Sequence, residues 1–268
     1  MKNYIITLII SIVLVSCNSK KEKTETDSSI VDSVKTTTAV KKDAKTKVPT
    51  VTDVYFTAYG SEPFWSLTIS DTLIKLKTIN DSILTPHTTP IRAMDSNVKI
   101  YKLNTETSLV NFQIHQSECI SVASGEASGY EVHVEYKKTS ENDFKQLEGC
   151  GNYILDYRLN DIWVLEKLNG TEVSLEDFAK EIPTLEINSS NKTFFGYAGC
   201  NRMNGSLFSE NDLLRFTKIV ITKMICQPHN KESEFLKALQ STITYNIEHN
   251  QLKLSNPDRE LLIFKKID

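Results

Sequence analysis

The chain has 268 residues, with 31 basic and 34 acidic side chains and a formal net charge of −3. The first 50 residues hold nine lysines and five acids, so residues 51–268 carry a net charge of −7. That balance argues against nucleic acid, whose phosphates require a basic surface, and no nucleic-acid partner is expected. It names no other partner.

Lys2 precedes an almost unbroken apolar run over 5–15, in which Thr7 and Ser11 are the polar residues. The run is too short to span a bilayer, which needs about 20 apolar residues. It fits the core of a secretory signal peptide over 1–16. The run ends Leu14-Val15-Ser16-Cys17. These four residues resemble the lipobox of bacterial lipoproteins, in which the cysteine is diacylated and becomes the new N-terminus. The resemblance implies a membrane partner, reached through a lipid anchor on Cys17. Acyl chains contribute about 0.8 kcal/mol per buried methylene, so several on one residue hold firmly.

Residues 18–52 are rich in Lys, Thr, Ser, Asp and Val and lack aromatics and glycine. Such a segment cannot bury enough apolar surface to offset its chain entropy. Residues 17–53 therefore read as a lipidated cysteine on a disordered tether.

About 215 residues follow. Residues 54–156 read as all-β. Apolar and polar residues alternate over 64–69, 110–115 and 130–136, and turn-forming stretches at 80–82, 86–90 and 124–129 separate them. Residues 156–161 read as a short linker, and 162–268 as an α+β unit. Its opening strand carries Trp163, Leu165 and Leu168 and ends at the turn Asn169-Gly170. Ser174-Leu175-Glu176-Asp177 has capping-box character and predicts a helix over 175–181, closed by Pro183. Strands are expected over 184–188, 192–197, 205–208 and 213–224. Asn230 reads as the N-cap of a helix whose apolar face holds Phe235, Leu236, Leu239 and Ile243. A hairpin of 251–255 and 260–266 closes the chain. The fold class expected is mainly β to α+β, in two small domains, 54–156 and 162–268, that fold independently.

Apart from Cys17 the chain has four cysteines, Cys119, Cys150, Cys200 and Cys226. An even number in an exported protein predicts disulfides. Of three connectivities, Cys119–Cys150 with Cys200–Cys226 is expected, because the domain boundary falls between the pairs. Neither pair forms C-x-x-C, which argues against a redox enzyme.

Residues 162–268 resemble the META (HslJ-like) domain family. The match rests on Trp163-Val164-Leu165 with Leu168-Asn169-Gly170, on the run from Gly196 to Gly205 around Gly199-Cys200-Asn201, and on Thr222-Lys223-Met224-Ile225-Cys226. The resemblance implies a small α+β domain of the cell envelope, linked to stress or secretion, with no established enzyme activity. Gly60-Ser61-Glu62-Pro63-Phe64-Trp65 is similar to the G-[NST]-E-P-F-W motif of a family of uncharacterised envelope proteins. Cys119 and Gly149-Cys150-Gly151 fit that family's later elements. Its D-x-M-S element is replaced here by Ile120-Ser121-Val122-Ala123.

Two surfaces are candidates for binding. One is Glu62, Phe64 and Trp65 at a strand entrance; the alternative is a core Trp65 and a locally paired Glu62. The other is Asn201, Arg202 and Asn204 in the 196–205 turn; the alternative is a disulfide-stapled turn whose asparagines satisfy the backbone. His115 lies four residues before Cys119, and Cys226 three before His229, but disulfides with surface histidines fit an oxidising compartment better than metal ligation. The common catalytic and nucleotide-binding motifs are absent from the sequence. The expectation is an outer-membrane lipoprotein without cofactor, metal or catalysis, binding another envelope protein or a cell-wall fragment. An assembly factor or an inhibitor of a wall-degrading enzyme is the alternative, followed by an enzyme.

Overall fold

The computed structural model describes residues 54–226 and 230–267. Cys17, the signal peptide, the tether and His229 lie outside them. Among the described residues the chain is mainly β, with two nine-stranded antiparallel sheets and one short α-helix.

The first sheet is built from β1 (Val54–Ser61), β2 (Phe64–Ser70), β3 (Leu73–Thr78), β4 (Ser82–Pro86), β5 (Ile91–Arg92), β6 (Val98–Asn104), β7 (Ser108–Ile120), β8 (Ala127–Lys138) and β9 (Lys145–Tyr153). Its order is β4-β3-β2-β1-β9-β8-β7-β6-β5. The expected alternation puts Leu67, Ile69, Val110, Phe112, Ile114, Val132 and Val134 into one core. Trp65 lies fully inside that core, and its indole N–H donates to the Glu148 carbonyl at 3.0 Å. Gly60 makes the room: a Cβ there would lie 2.2 Å from the indole nitrogen. The E-P-F-W motif is thus a fold motif, in which the glycine and the tryptophan serve each other.

The second sheet is built from β10 (Ile162–Leu168), β11 (Thr171–Glu172), β12 (Thr184–Asn188), β13 (Thr193–Tyr197), β14 (Arg202–Glu210), β15 (Leu213–Ile221), β16 (Thr244–Glu248), β17 (Gln251–Ser255) and β18 (Glu260–Lys266). β18 returns to pair with β10, so the sheet closes on itself. The helix α1 (Glu232–Gln240) buries Phe235, Ala238 and Leu239, and Phe235 meets Phe264 edge-on at 6.3 Å.

Three local expectations needed correction, and a fourth segment gains detail. The 175–181 helix is a single 3-10 turn, Leu175–Asp177, with its capping box intact. It stops there because Phe178 turns extended and inserts into the core beside Gly199, whose φ is +104°. β15 ends at Ile221 rather than 224, because the Asn201 side chain takes the backbone N–H of Met224 and the Thr222 hydroxyl. The helix N-cap is Lys231, while the Asn230 side chain accepts from the Glu232 N–H at 3.0 Å. The 156–161 segment, read as a short linker, forms the 3-10 turn Tyr157–Leu159 and packs: Leu159 and the preceding Leu155 lie in the second core, and the Trp163 indole donates to the Leu159 carbonyl at 3.0 Å.

Both expected disulfides are present, Cys119–Cys150 and Cys200–Cys226. They fit an oxidising, extracytoplasmic compartment.

The two sheets meet at a buried ion pair. Lys99 on the inner face of β6 lies 2.7 Å from the Glu210 carboxylate at the end of β14, and the two side chains are 6% and 4% exposed. Tyr130 donates to the same carboxylate at 2.6 Å and Asn97 at 2.7 Å. Asn97 also accepts from Lys99 at 2.9 Å, and the ammonium lies 5.3 Å from the Tyr153 ring centre. Lys192, in the β12–β13 turn, adds a second tie by donating to the Tyr153 carbonyl at 2.8 Å. Burial pushes its amine pKa down.

Burial alone would push the Glu210 carboxyl up. The hydrogen bonds from Lys99 and Tyr130, the Lys99 charge and the Asn97 bond outweigh that, and hold it below the ordinary value. A carboxyl depressed in the folded state contributes stability above its unfolded pKa and loses it as pH falls through the folded value. The contribution of Glu210 should therefore fade in acid below about pH 4.3. Glu210→Ala should cost about 3–5 kcal/mol in urea unfolding, because it strands a buried ammonium. Adding Lys99→Met to a Glu210→Leu variant should recover most of that loss.

Candidate functional site

The META-like turn is held from beneath. Cys200 is fully buried in its disulfide to Cys226. Asn201, also buried, uses both ends of its amide. Its Oδ1 accepts from the Met224 N–H at 2.8 Å and the Thr222 hydroxyl at 2.9 Å. Its Nδ2 donates to Glu232 Oε2 at 2.9 Å, and its backbone N–H to Glu232 Oε1 at 2.7 Å. Asn201 is therefore a structural clamp, and Glu232 is its counterpart. On sequence alone Glu232 reads as a charge at a helix start. Its burial comes from tertiary packing that no local pattern announces.

Arg202 and Asn204 point the other way. Along β14 side chains alternate between faces; Met203 is buried while its two neighbours are exposed. The register aligns Phe195 with Asn204 and Asn204 with Val220 across β13, β14 and β15. Tyr197 pairs with Arg202 in the next row. The result is a shallow groove of about 420 Å³, lined by Phe195, Arg202, Asn204, Val220, Ile221 and Thr222 among others. Phe195 is 54% exposed and Val220 63%. Met224 and Ile225 continue the exposed apolar surface beyond the strand. The Tyr197 hydroxyl is enclosed and has no hydrogen-bond partner among the described residues. Desolvation pushes its pKa up, reinforced by the Glu181 and Glu232 carboxylates and opposed by Arg202.

One edge of this surface is open. β15 pairs with β14 along most of its length, but on its other side only Leu213 pairs, with Thr244, among the described residues. The bulge opposite Asn204–Ser206 holds Lys218 at a φ of +51°. A bulge and a lysine are devices that protect a free edge from indiscriminate pairing.

The other candidate surface divides. Glu62 and Phe64 are exposed at the β1–β2 turn, but Trp65 is core and reaches no surface. The sequence reading missed Phe195 and Val220. The signal for Phe195 was the adjacent pair Phe194-Phe195: neighbours on a strand face opposite ways, so one of two consecutive aromatics must leave the core. Cys200, Cys226 and Glu232 bring potential metal ligands within 4.8 Å of one another. The disulfide occupies both sulfurs, and the carboxylate is bonded to Asn201.

Comparison with known proteins decides the assignment of this half. Residues 157–268 match the family model of the META domain. They are a META domain. Two solved structures are similar, both determined by NMR. One, from Burkholderia xenovorans, is 26% identical, covers 41% of this chain and 85% of its own, and superposes with a TM-score of 0.34. The second is 24% identical over 40% of this chain and 90% of its own, with a TM-score of 0.33. No curated protein matches.

Within the META domain the Asn201–Glu232 clamp generates a direct expectation. Glu232→Ala leaves the buried Asn201 backbone N–H without an acceptor and its side-chain amide with only the Cys226 sulfur, at 3.3 Å, a cost of about 1–3 kcal/mol. Urea unfolding should show a loss of that order. An unchanged midpoint would show that the clamp contributes nothing.

Proposed function

We propose that the chain is an exported lipoprotein, tied to the outer membrane through Cys17, and that its META domain binds an extended, apolar segment of another envelope protein. It acts as a binding module and catalyses no reaction. One observation carries the reading: Phe195 and Val220, both more than half exposed, flank Asn204 in a single cross-strand row. Large side chains presented in a row on a sheet face are costly to leave in water, and a partner that covers them recovers about 25 cal/mol per Å². Beside the row runs the incompletely paired edge of β15, which offers main-chain hydrogen bonds to an added strand. Arg202 and Asn204 supply polar contacts that fix the partner's register. The groove lining contains one ionisable side chain, Arg202, a composition that favours recognition over acid–base chemistry. The signal-peptide run, the Leu14 to Cys17 motif and the two disulfides support export.

The binding surface is tested with a photo-crosslinking residue at position 220 of the membrane-anchored protein. A discrete adduct is expected, and Phe195→Asp should diminish it severalfold. Phe195 is exposed, so the variant should unfold within about 0.5 kcal/mol of wild type. An adduct that is undiminished in Phe195→Asp would refute the groove. The anchor is tested separately: Cys17→Ser should leave the precursor unprocessed or release the protein from membranes. A variant that still fractionates with membranes and has lost no acyl mass would contradict lipidation.

A further inference from the structure

On the outward face of the first sheet, remote in sequence from the META groove, two histidines and two glutamates converge. The register pairs His115 on β7 with Glu131 on β8, and His133 on β8 with both Gln113 on β7 and Glu148 on β9. His115 and His133 are therefore diagonal neighbours, close enough for long side chains to meet. Their ring centres are 5.5 Å apart. Glu131 Oε1 lies 3.4 Å from His133 Nε2, and Glu148 Oε1 lies 3.6 Å from His133 Nδ1. A surface depression of about 260 Å³ is lined by His115, His133 and Glu148, and its lining contains no lysine or arginine.

We infer that His115, His133 and Glu131 form a binding site for a divalent transition-metal ion of the zinc type. The spacing is what carries this. A hydrogen-bonded imidazole–carboxylate contact is shorter, about 2.7–2.9 Å. Around a tetrahedral ion with metal–ligand bonds of about 2.0–2.2 Å, neighbouring ligand atoms stand about 3.4 Å apart. Two imidazoles sharing such an ion have ring centres about 5 Å apart. The His133–Glu131 and His115–His133 separations match both figures. Glu148 Oε1, 3.6 Å from the opposite ring nitrogen of His133, is beyond hydrogen-bond distance and adds a second negative charge beside the ring. His115 Nε2 now contacts Gln113 Oε1 at 3.0 Å. The ring is half-buried, and binding requires it to rotate so that a nitrogen comes within ligand distance of His133 and Glu131. Imidazole with carboxylate selects zinc, copper or nickel over magnesium and calcium, which prefer oxygen alone. Three protein ligands leave a coordination position for water or for a group on a partner.

The site is distinct from the four cysteines, whose sulfurs are taken by disulfides. It is also independent of the META groove, so its failure would leave the proposed function untouched.

The test is calorimetric titration of the untagged, solubilised full chain with Zn²⁺. One equivalent should bind, and His115→Ala and His133→Ala should each weaken it by at least about tenfold. His249→Ala, in the exposed β16–β17 turn, should leave it unchanged, and Mg²⁺ should not compete. The ligands are surface side chains, so circular dichroism and melting of the variants should match wild type. Absence of Zn²⁺ binding to the wild-type chain overturns the site. Binding that survives undiminished in either His115→Ala or His133→Ala overturns it equally.

Discussion

A lysine and a glutamate from different sheets meet where neither has access to water, and the architecture of residues 54–267 turns on that contact. Lys99 points into the first core from a strand whose other inward residues are Tyr101 and Leu103. An ammonium there is tolerated because Glu210 reaches it from the second sheet, with Asn97 and Tyr130 completing the hydrogen bonds. Desolvating two charges costs several kcal/mol per ion, and their attraction offsets this only when geometry and hydrogen bonding are both good. The pair therefore adds little to net stability, but it makes either sheet without the other expensive. Lys192 and the packed 155–159 segment act in the same sense.

That contact bears on the expectation of two domains, 54–156 and 162–268, that fold independently. The changed strand pattern after residue 156 and the separation of the cysteine pairs describe two modules, each with its own core. Nothing in the sequence warns that Lys99 and Glu210, over a hundred residues apart, are partners. A lysine on an alternating strand reads as solvent-facing unless its register is known. Glu232 escapes for the same reason, since buried polar pairs are defined by tertiary geometry and not by local period, whereas a stapled turn whose asparagines satisfy the backbone was one of the two readings of Asn201.

What was legible is what local chemistry decides. Alternation located the inward faces of β2, β7 and β8, and the Asn256 to Arg259 turn located the final hairpin. The cysteine spacing gave the disulfides. Arg202 and Asn204 were legible as exposed candidates, but their neighbours Phe195 and Val220 needed the strand register. Capping signals placed the helix start within a residue, yet overextended the 175–181 helix, because Phe178 gains more from the core than from another helical turn. Trp65 stood in the sequence as either a binding or a core residue, because an aromatic at a motif looks the same whether it faces a ligand or a glycine-lined core.

The chain's two tryptophans lie one in each core, Trp65 in the first and Trp163 in the second. Urea unfolding of Trp65→Phe and Trp163→Phe, each followed by the fluorescence of the remaining indole, thus reports the sheets separately. Hydrogen exchange corrects for any stability lost to the substitutions themselves. The account predicts that, after this correction, both indoles report one transition at a common midpoint, and that Glu210→Ala in each background splits it in two. Two separate transitions with Glu210 intact would contradict the claim that the buried pair joins the sheets into one cooperative unit.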